Sequence, residues 1–170
     1  MTIEQYIRDI KDFPKPGIVF KDITPLLASP EARAYVIEIF LSHLPKGKID
    51  KVVGVESRGF FFGLMLAEAL GAGFVPVRKK GKLPFDTLSA SYELEYGTDT
   101  LEIHSDAIAK GERVLIHDDV LATGGTISAV ADLVTRLGGE IIQINFLMEL
   151  AFLNGRQRIA QYDTYSVLTY

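Results

Sequence analysis

The chain has 170 residues, of which 48% are hydrophobic and 24% are charged, so it can bury a core and is short enough for one domain. Its net charge of -4 argues against nucleic acid as a partner, and the absence of cysteine excludes disulfides and thiolate zinc sites and favours the cytoplasm. We find neither a signal-peptide pattern nor an apolar run of about 18 to 20 residues, so no membrane partner is expected. The three histidines are too dispersed to predict a transition-metal site.

The first part of the sequence predicts two helices separated by a flap. Apolar residues recur at helical spacing over residues 2–11, which predicts a short amphipathic helix. The Phe-Pro-Lys-Pro-Gly sequence at 13–17 breaks it, and residues 18–25 are too interrupted for a core element, so they are predicted to form an ordered flap. A Ser-Pro-Glu helix start at 29–31 precedes one apolar face that extends to Pro45.

The rest of the sequence alternates strands with helices. Strands are predicted at residues 51–55, 74–77, 89–95, 101–103, 114–117, 141–147 and 166–168. Pro76 predicts a bulge or strand end, and residues 89–103 are expected to form a protruding, flexible hairpin. Helices are predicted after the first strand, ending at Gly71, and over residues 127–137. This alternation indicates an α/β fold with a mostly parallel central sheet flanked by helices. We expect a single domain over residues 1–170, with residues 1–30 as a small hood.

The stretch Val-Leu-Ile-His-Asp-Asp-Val-Leu-Ala-Thr-Gly-Gly-Thr, residues 114–126, demands a chemical explanation. A buried strand there delivers Asp118 and Asp119 to its C-terminal end, where two carboxylates can accept hydrogen bonds from vicinal sugar hydroxyls. Their negative charge would also favour positive charge that develops on the sugar ring. By themselves, the two acids are equally well explained if one of them caps a turn or a helix.

The sequence Thr-Gly-Gly-Thr at 123–126 strengthens the functional interpretation. Glycines let the backbone approach a ligand, and the helix N-terminus adds N–H donors and partial positive charge, so this loop is suited to phosphate. It is not a Walker A loop, because no lysine follows, and the chain has no Gly-x-Gly-x-x-Gly. Such a loop can be ordinary, but behind paired acids it is a strong signal.

A second anion site is predicted at residues 56–59, Glu-Ser-Arg-Gly, which again join a strand end to a helix start. Arg58 could meet a phosphate there, although a capped helix with a surface arginine is the simpler alternative. The basic run at 78–82, which also follows a strand, suggests a polyanionic ligand. His117, on a buried strand, is expected to be a core residue, as are the phenylalanines at 60–62.

Together these motifs resemble the type I phosphoribosyltransferases, and among them the adenine phosphoribosyltransferases, over nearly the whole chain. The motifs that carry the resemblance are Phe13-Pro14-x-Pro16-Gly17-x-Val19-Phe20-x-Asp22-Ile23, Glu56-Ser57-Arg58-Gly59-Phe60, Gly81-Lys82-Leu83-Pro84, Ala90-Ser91-Tyr92-x-Leu94-Glu95-Tyr96-Gly97 and Asp118 to Thr126. This sequence departs from the family at position 21, where it has Lys and relatives commonly have Arg. A lysine offers a point charge rather than a planar fork, so base affinity or selectivity could differ.

The resemblance implies a role for each matching residue. Catalytic roles fall to Glu95, Arg58, Asp118 and Asp119, with Glu95 managing the purine proton. The ribose and the 5-phosphate would bind to Asp118, Asp119, Ala122, Thr123, Gly124, Gly125 and Thr126. Pyrophosphate would bind to Ser57, Arg58, Gly59, Arg78 and Lys82. Adenine would bind to Val19, Phe20, Lys21 and Val120. Tyr96 would lie on a lid that excludes water.

The implied reaction transfers a phosphoribosyl group from phosphoribosyl pyrophosphate to adenine, giving AMP and pyrophosphate in purine salvage. Mg2+ would act as cofactor, bridging substrate oxygens without direct protein ligands, and the family implies a homodimer. Two alternatives stay open at this stage. One is a phosphoribosyltransferase for xanthine, hypoxanthine or guanine, and the other is a non-catalytic regulator that senses phosphoribosyl pyrophosphate. The regulator is disfavoured because the chain has the base-binding flap and no added basic module.

Overall fold

The structure, a computed structural model, describes residues 1–94 and 96–170 and divides the chain into two units, Met1–Ser42 and His43–Tyr170. The first unit contains a 3-10 helix (Ile3–Tyr6), strands β1 (Arg8–Lys11) and β2 (Val19–Asp22), and helices α1 (Thr24–Ala28) and α2 (Pro30–Ser42). The boundary after Ser42 lies beyond the hood of residues 1–30 that the sequence suggests. The single-domain assignment stays a prediction.

The predicted helix over residues 2–11 is wrong. Only the 3-10 helix forms, and Arg8–Lys11 pairs antiparallel with Val19–Asp22 as a two-stranded ribbon. Ten residues are too few for a stable helix by propensity alone, and pairing with β2 satisfies the backbone groups of β1 instead. The segment predicted as a flap therefore contributes one of the two strands.

The helix start at Ser29 is confirmed. Pro30 occupies the first helical position of α2, and Ser29 Oγ accepts a hydrogen bond from Ala32 N at 3.2 Å. Because the first N–H groups of a helix lack partners within the helix, this cap stabilises the first turn. Val36 and Phe40 on the predicted apolar face are buried.

The second unit is built on one sheet, as the α/β prediction requires. Its described strands are β3 (Lys51–Val55), β4 (Gly73–Lys79), β5 (Thr87–Glu93), β6 (Thr98–His104), β7 (Arg113–Leu121), β8 (Glu140–Glu149) and β9 (Thr164–Thr169). Their order is β5-β6-β4-β3-β7-β8-β9, and the strands from β4 to β9 in this order pair with one another in parallel. The mostly parallel sheet is thus confirmed, and the antiparallel hairpin of β5 and β6 extends one edge.

Two helices of the second unit follow strands whose C-terminal ends lie side by side. Helix α3 (Gly59–Leu70) follows β3 and ends at Gly71 in the left-handed conformation, and helix α4 (Gly125–Arg136) follows β7. The apolar face predicted for α4 is buried in the main core, which includes Ile127, Val130 and Val134. Within the ranges described, every helix falls short of the length and apolar character that a membrane crossing requires.

Two strand predictions need correction. Pro76 causes no bulge, since the β3–β4 register is continuous and pairs Pro76 with Gly54. On its other side β4 pairs with β6 only at Arg78 and Lys79, so the missing N–H of Pro76 breaks no ladder. The end predicted for the strand at 114–117 is also wrong, because β7 continues through both acids to Leu121 alongside the long strand β8.

The centre of the sheet should dominate stability. Phe146 on β8 is completely buried, so we expect Phe146→Ala to lower the free energy of unfolding by about 3–5 kcal/mol through lost burial and a residual cavity. Phe152, with 71% of its surface exposed, supplies the matched control, and Phe152→Ala should change that value by less than about 0.5 kcal/mol. Urea denaturation measures both, and equal effects would contradict this account of the core.

Candidate functional site

The site begins where β3 stops pairing with β7. The last pair in their parallel register is Gly54 with His117, so among the described residues β3 does not pair with β7 from Asp118 onwards, whereas β8 still pairs with it as far as Leu121. Alternation along a strand would send adjacent side chains to opposite faces. At this open edge both Asp118 and Asp119 reach the same cavity.

That cavity has a volume of about 310 Å3 and is predominantly polar in its lining. It is lined by Glu56, Ser57, Arg58, Lys79, Tyr92, Leu101, Asp118, Asp119 and Thr126. A smaller cavity of about 70 Å3 adjoins it through shared residues and is lined by Asp118, Val120, Leu121, Ala122, Thr123, Gly124, Thr126 and Ile127. The two predicted anion sites and the paired acids therefore meet in one place.

Arg58 is the principal positive charge beside the acids. Its Nε lies 2.8 Å from Asp119 Oδ2, and the Asp119 side chain is almost completely buried while that of Arg58 keeps about a third of its surface exposed. Asp118 Oδ1 accepts a hydrogen bond from Asp119 N at 2.8 Å, which orients its carboxylate. Arg58 is thus held by a carboxylate and still faces the cavity.

Burial raises the pKa of both carboxyl groups. The pKa of Asp118 lies well above its ordinary range, because the charge of Asp119 adds to the cost of burial. At Asp119 burial also raises the pKa, and the Arg58 guanidinium opposes that rise. Ionising both acids is therefore costly in the folded protein until positive charge is placed next to them.

The start of α3 lies against the acids because residue 59 has no side chain. A Cβ at Gly59 would stand 2.9 Å from Asp118 Oδ1, which is too short for a real contact, and 3.1 Å from His117 O, which is tighter than most. Arg58 is the residue before the helix and no side chain caps it, so the simple interpretation of a capped helix does not hold. Phe60 N donates to Ser57 O at 3.1 Å, and the other N–H groups at this helix start are suited to an anion.

Glu56, the first residue of this loop, is held by residues of β4. Its Oε2 accepts a hydrogen bond from Lys79 N at 2.7 Å, and its Oε1 lies 3.4 Å from Arg78 Nη2. Burial by itself would raise the pKa of Glu56, but these two donors outweigh burial and lower it. The Glu56–Ser57 peptide bond is cis.

The start of α4 forms the second anion site. Gly124 precedes the helix with φ of 86°, in the left-handed region that glycine adopts readily, and no side chain caps the helix. The first turn contains no acidic residue. The N–H groups of Gly124, Gly125 and Thr126 therefore make this loop suitable for a phosphate.

The residues of the basic run at 78–82 do not all face the cavity. Lys79 lines the main cavity, and its Nζ forms an ion pair with Asp99, which also accepts a hydrogen bond from Tyr92 OH at 3.2 Å. Arg78 contacts Glu56, whereas Lys82 lies exposed on the loop that follows β4. Neither Arg78 nor Lys82 is among the described residues that line the cavity.

His117 is a core residue, as expected. It is completely buried, its Nδ1 lies 2.8 Å from Asn145 Oδ1, and burial lowers its pKa to about 4 against the weaker opposing effect of that hydrogen bond. The imidazole is therefore neutral at physiological pH. Phe62 is also buried, but Phe61 is 47% exposed, so the expectation that residues 60–62 are all core is wrong for Phe61.

The base-binding residues predicted from the resemblance lie on β2 of the first unit, apart from Val120 on β7. Val19 is exposed, Phe20 makes an edge-to-face contact with Phe13, and Lys21 Nζ lies 2.7 Å from Asp9 Oδ1. Tyr96, the predicted lid residue, is 84% exposed beyond the end of β5. Glu95 lies outside the described residues.

Comparison with known proteins agrees with this geometry. A family model described as the phosphoribosyl transferase domain matches residues 23–168. The chain belongs to the phosphoribosyl transferase family. The matched range includes both uncapped helix starts and the paired acids of the cavity.

Several relatives share the whole length of the chain. An adenine phosphoribosyltransferase of Flavobacterium johnsoniae is 68% identical over 100% of both chains, and that of Christiangramia forsetii is 59% identical over 100% of this chain and 99% of its own. The crystal structure of adenine phosphoribosyltransferase from Thermoanaerobacter pseudethanolicus superposes with a TM-score of 0.95 at 56% identity, covering 99% of this chain and 98% of its own. These full-length matches confirm the fold and the family that the motifs suggest.

A solved relative contains ligands. The Saccharomyces cerevisiae adenine phosphoribosyltransferase, complexed with an imino-altritol bisphosphate and adenine, has a TM-score of 0.94 at 44% identity, with 98% of this chain and 96% of that chain covered. The ligands belong to that protein.

Sequence reasoning missed two polar contributors to this phosphoribosyl transferase site. Tyr92 and Lys79 line the cavity, although only the alternation in β5 and the basic run hinted at them. Which face of a strand points to a cavity depends on neighbouring strands, so sequence alone could not select Lys79 over Arg78.

The raised pKa of Asp118 predicts a conflict between stability and function. The folded chain holds the Asp118 proton more tightly than the unfolded chain, whose ordinary pKa is 3.8, so ionisation costs stability increasingly as the pH rises above that value. We expect Asp118→Asn to have a higher free energy of unfolding than the unaltered protein at pH 8, with the difference shrinking towards pH 4, as measured by urea denaturation.

The control for this test is Asp132→Asn, which removes the same charge from an exposed ion pair with Arg136 on α4. It should change the free energy of unfolding by less than about 0.5 kcal/mol at either pH. If Asp118→Asn were less stable than the unaltered protein at pH 8, burial of the carboxylate would not be the cost that we infer.

Proposed function

We propose that this protein transfers the phosphoribosyl group of phosphoribosyl pyrophosphate to adenine, releasing AMP and pyrophosphate. The observation that carries the proposal is the convergence of two uncapped helix starts, Arg58 and a pair of carboxylates on one polar cavity. Full-length relatives named adenine phosphoribosyltransferase support the choice of base.

The sugar end of the substrate binds at β7 and α4. Asp118 and Asp119 accept hydrogen bonds from the ribose hydroxyls, and residues 122–126 bind the 5-phosphate through their N–H groups and the threonine hydroxyls. The small cavity lined by this loop supports the assignment, because it shares Asp118 and Thr126 with the main cavity. One substrate can therefore contact both groups.

Pyrophosphate binds at the start of α3. Ser57, Arg58 and Gly59 present donors there, and Lys79 adds a cation that lines the same cavity. Arg78 and Lys82, which the resemblance also implies, stay predictions from that resemblance. The positive charge of this region stabilises the negative charge that grows on the departing pyrophosphate.

The residues present suit Mg2+. Among the described residues no cluster of three or more His, Asp or Glu side chains is placed to hold a metal ion by itself. Carboxylate oxygens suit this hard cation, which usually keeps several waters and shares its other ligands with substrate phosphates, so Asp118 and Asp119 would meet it through water or through the ribose. When bound, Mg2+ supplies positive charge to the pyrophosphate oxygens.

The reaction is a displacement at the anomeric carbon. The bond to the pyrophosphate oxygen breaks with its electron pair, and a ring nitrogen of adenine forms the new bond. The proton that adenine loses goes to a base, the role that the resemblance implies for Glu95. As the sugar gains oxocarbenium character, the carboxylates of Asp118 and Asp119 stabilise its positive charge. This new positive charge also offsets the cost of ionising the two buried carboxyl groups, whose pKa values burial raises.

Water must be kept from the activated sugar, and the β5–β6 hairpin is the element suited to that task. Tyr92 of this hairpin lines the cavity, held by its hydrogen bond to Asp99. Tyr96 lies further out and could cover bound substrate. The proton-handling role of Glu95 stays a prediction from the resemblance.

Base recognition is assigned to Val19, Phe20, Lys21 and Val120 on the strength of the resemblance. The backbone N–H and C=O of Val19 would match the acceptor at N1 and the donor at the 6-position of adenine. Lys21 differs from the common arginine, and its ion pair with Asp9 occupies it within the first unit. A homodimer and a cytoplasmic location likewise stay predictions.

A panel of bases tests the proposed function. Purified protein with Mg2+ and phosphoribosyl pyrophosphate should form AMP from adenine, and chromatography of the products measures it. Faster formation of IMP, GMP or XMP would overturn the choice of adenine and favour another purine. No nucleotide from any base would overturn the enzyme assignment and favour a sensor of phosphoribosyl pyrophosphate.

The carboxylate role has a separate test. Asp119→Asn should lower kcat/KM for phosphoribosyl pyrophosphate by about 100-fold, because it removes a charge that stabilises the transition state and holds Arg58. Circular dichroism should show an intact fold, and Asp132→Asn again controls for the lost charge. An unchanged kcat/KM would show that Asp119 acts only as a cap.

A further inference from the structure

The loop of residues 122–125, to which the 5-phosphate is proposed to bind, packs directly against the backbone of Gly155. A Cβ at Gly155 would overlap Ala122 O and stand 3.0 Å from Leu121 Cδ1, and one at Gly124 would stand 2.6 Å from Gly155 O. Gly155 is buried, and it opens a 3-10 helix, Gly155–Ile159, that precedes β9. Because no side chain separates the two backbones, the position of Gly155 determines where the loop of residues 122–125 can lie.

An ion pair anchors the residue after Gly155. Arg156 Nε lies 2.8 Å and 2.7 Å from the two carboxylate oxygens of Glu149, and Arg156 Nη2 lies 2.7 Å from Glu149 Oε2. Arg156 Nη1 also donates to Thr164 O at 3.0 Å, and Ser166 Oγ donates to Glu149 Oε2 at 3.1 Å. The Glu149 side chain is 9% exposed, so this pair is shielded from solvent on the carboxylate side.

Glu149 lies beside the end of β7. It is the last residue of β8, where it is in register with Leu121 at the end of β7, and Leu150 N donates to Leu121 O at 2.9 Å. The carboxylate therefore has a fixed place relative to the loop that begins at Ala122. Arg156 connects this fixed point to the backbone beneath that loop.

We propose that Glu149 and Arg156 are positioning residues that hold Gly155 beneath the loop of residues 122–125 and so set its N–H groups for the 5-phosphate. The inference rests on the proposed function, which supplies the ligand. Neither residue lines the main cavity or the small one, so neither is expected to touch substrate. A bidentate arginine pair suits the task, because its fork fixes orientation as well as distance.

Two half-substrates separate positioning from general stability. Ribose 5-phosphate should use the loop at α4, whereas pyrophosphate should use the start of α3, which the ion pair does not support. We expect Glu149→Gln to weaken ribose 5-phosphate binding by about 10-fold through misplacement of the loop, with pyrophosphate binding unchanged, as measured by titration calorimetry with Mg2+ present. Asp132→Asn removes one negative charge from an exposed pair on α4 and should leave both affinities unchanged.

Removing the charge of the buried carboxylate can destabilise the fold, so a second variant accompanies the first. Arg156→Lys keeps the charge and loses the fork, and it should also weaken ribose 5-phosphate binding selectively. Circular dichroism establishes that each variant is folded before titration. If Glu149→Gln does not fold, Arg156→Lys decides the question.

Two results would overturn the inference alone: ribose 5-phosphate binding as tight in the folded variants as in the unaltered protein, or an equal loss of affinity for both half-substrates. If the unaltered protein binds neither compound, the proposed function is wrong, and the inference falls with it.

Discussion

The burial of two adjacent carboxylates at the open end of β7 is the constraint on which the site depends. Asp118 and Asp119 raise the free energy of the folded chain when both are ionised, and Arg58 offsets part of that cost at 2.8 Å from Asp119. Arg58 can approach only because Gly59 lets α3 begin against the acids. The same residues are therefore costly for stability and suited to a sugar that gains positive charge.

The second constraint is the crossover geometry of the parallel sheet. Because β3 and β7 are neighbours with parallel directions, the helices that follow them begin at the same edge, and each presents N–H groups without a side-chain cap. One substrate with a phosphate at each end can satisfy both helix starts at once. The Glu149–Arg156 pair adds a further support, since we infer that it holds Gly155 against the loop of residues 122–125, which follows β7.

Particular elements show why pattern reasoning succeeded or failed. The periodic apolar face of α4, the glycine at the end of α3 and the Ser29 cap are local signals, and the structure confirms them. The helix predicted over residues 2–11 is wrong because pairing with β2 outweighs a weak helical period. The predicted end of β7 is wrong because polar residues usually mark a strand end, whereas here the long partner β8 continues the ladder past them.

The sequence by itself determined the α/β class, the family and the motifs of the site, because apolar periodicity, glycine positions and paired acids are properties of short segments. Tertiary structure decided that Lys79 rather than Lys82 lines the cavity, that both acids reach one space and that Gly155 lies beneath the phosphate loop. Each of these depends on where a neighbouring strand stops or where a distant backbone packs. Contacts between residues far apart in the chain leave no periodic trace in either segment, so only the folded chain reveals them.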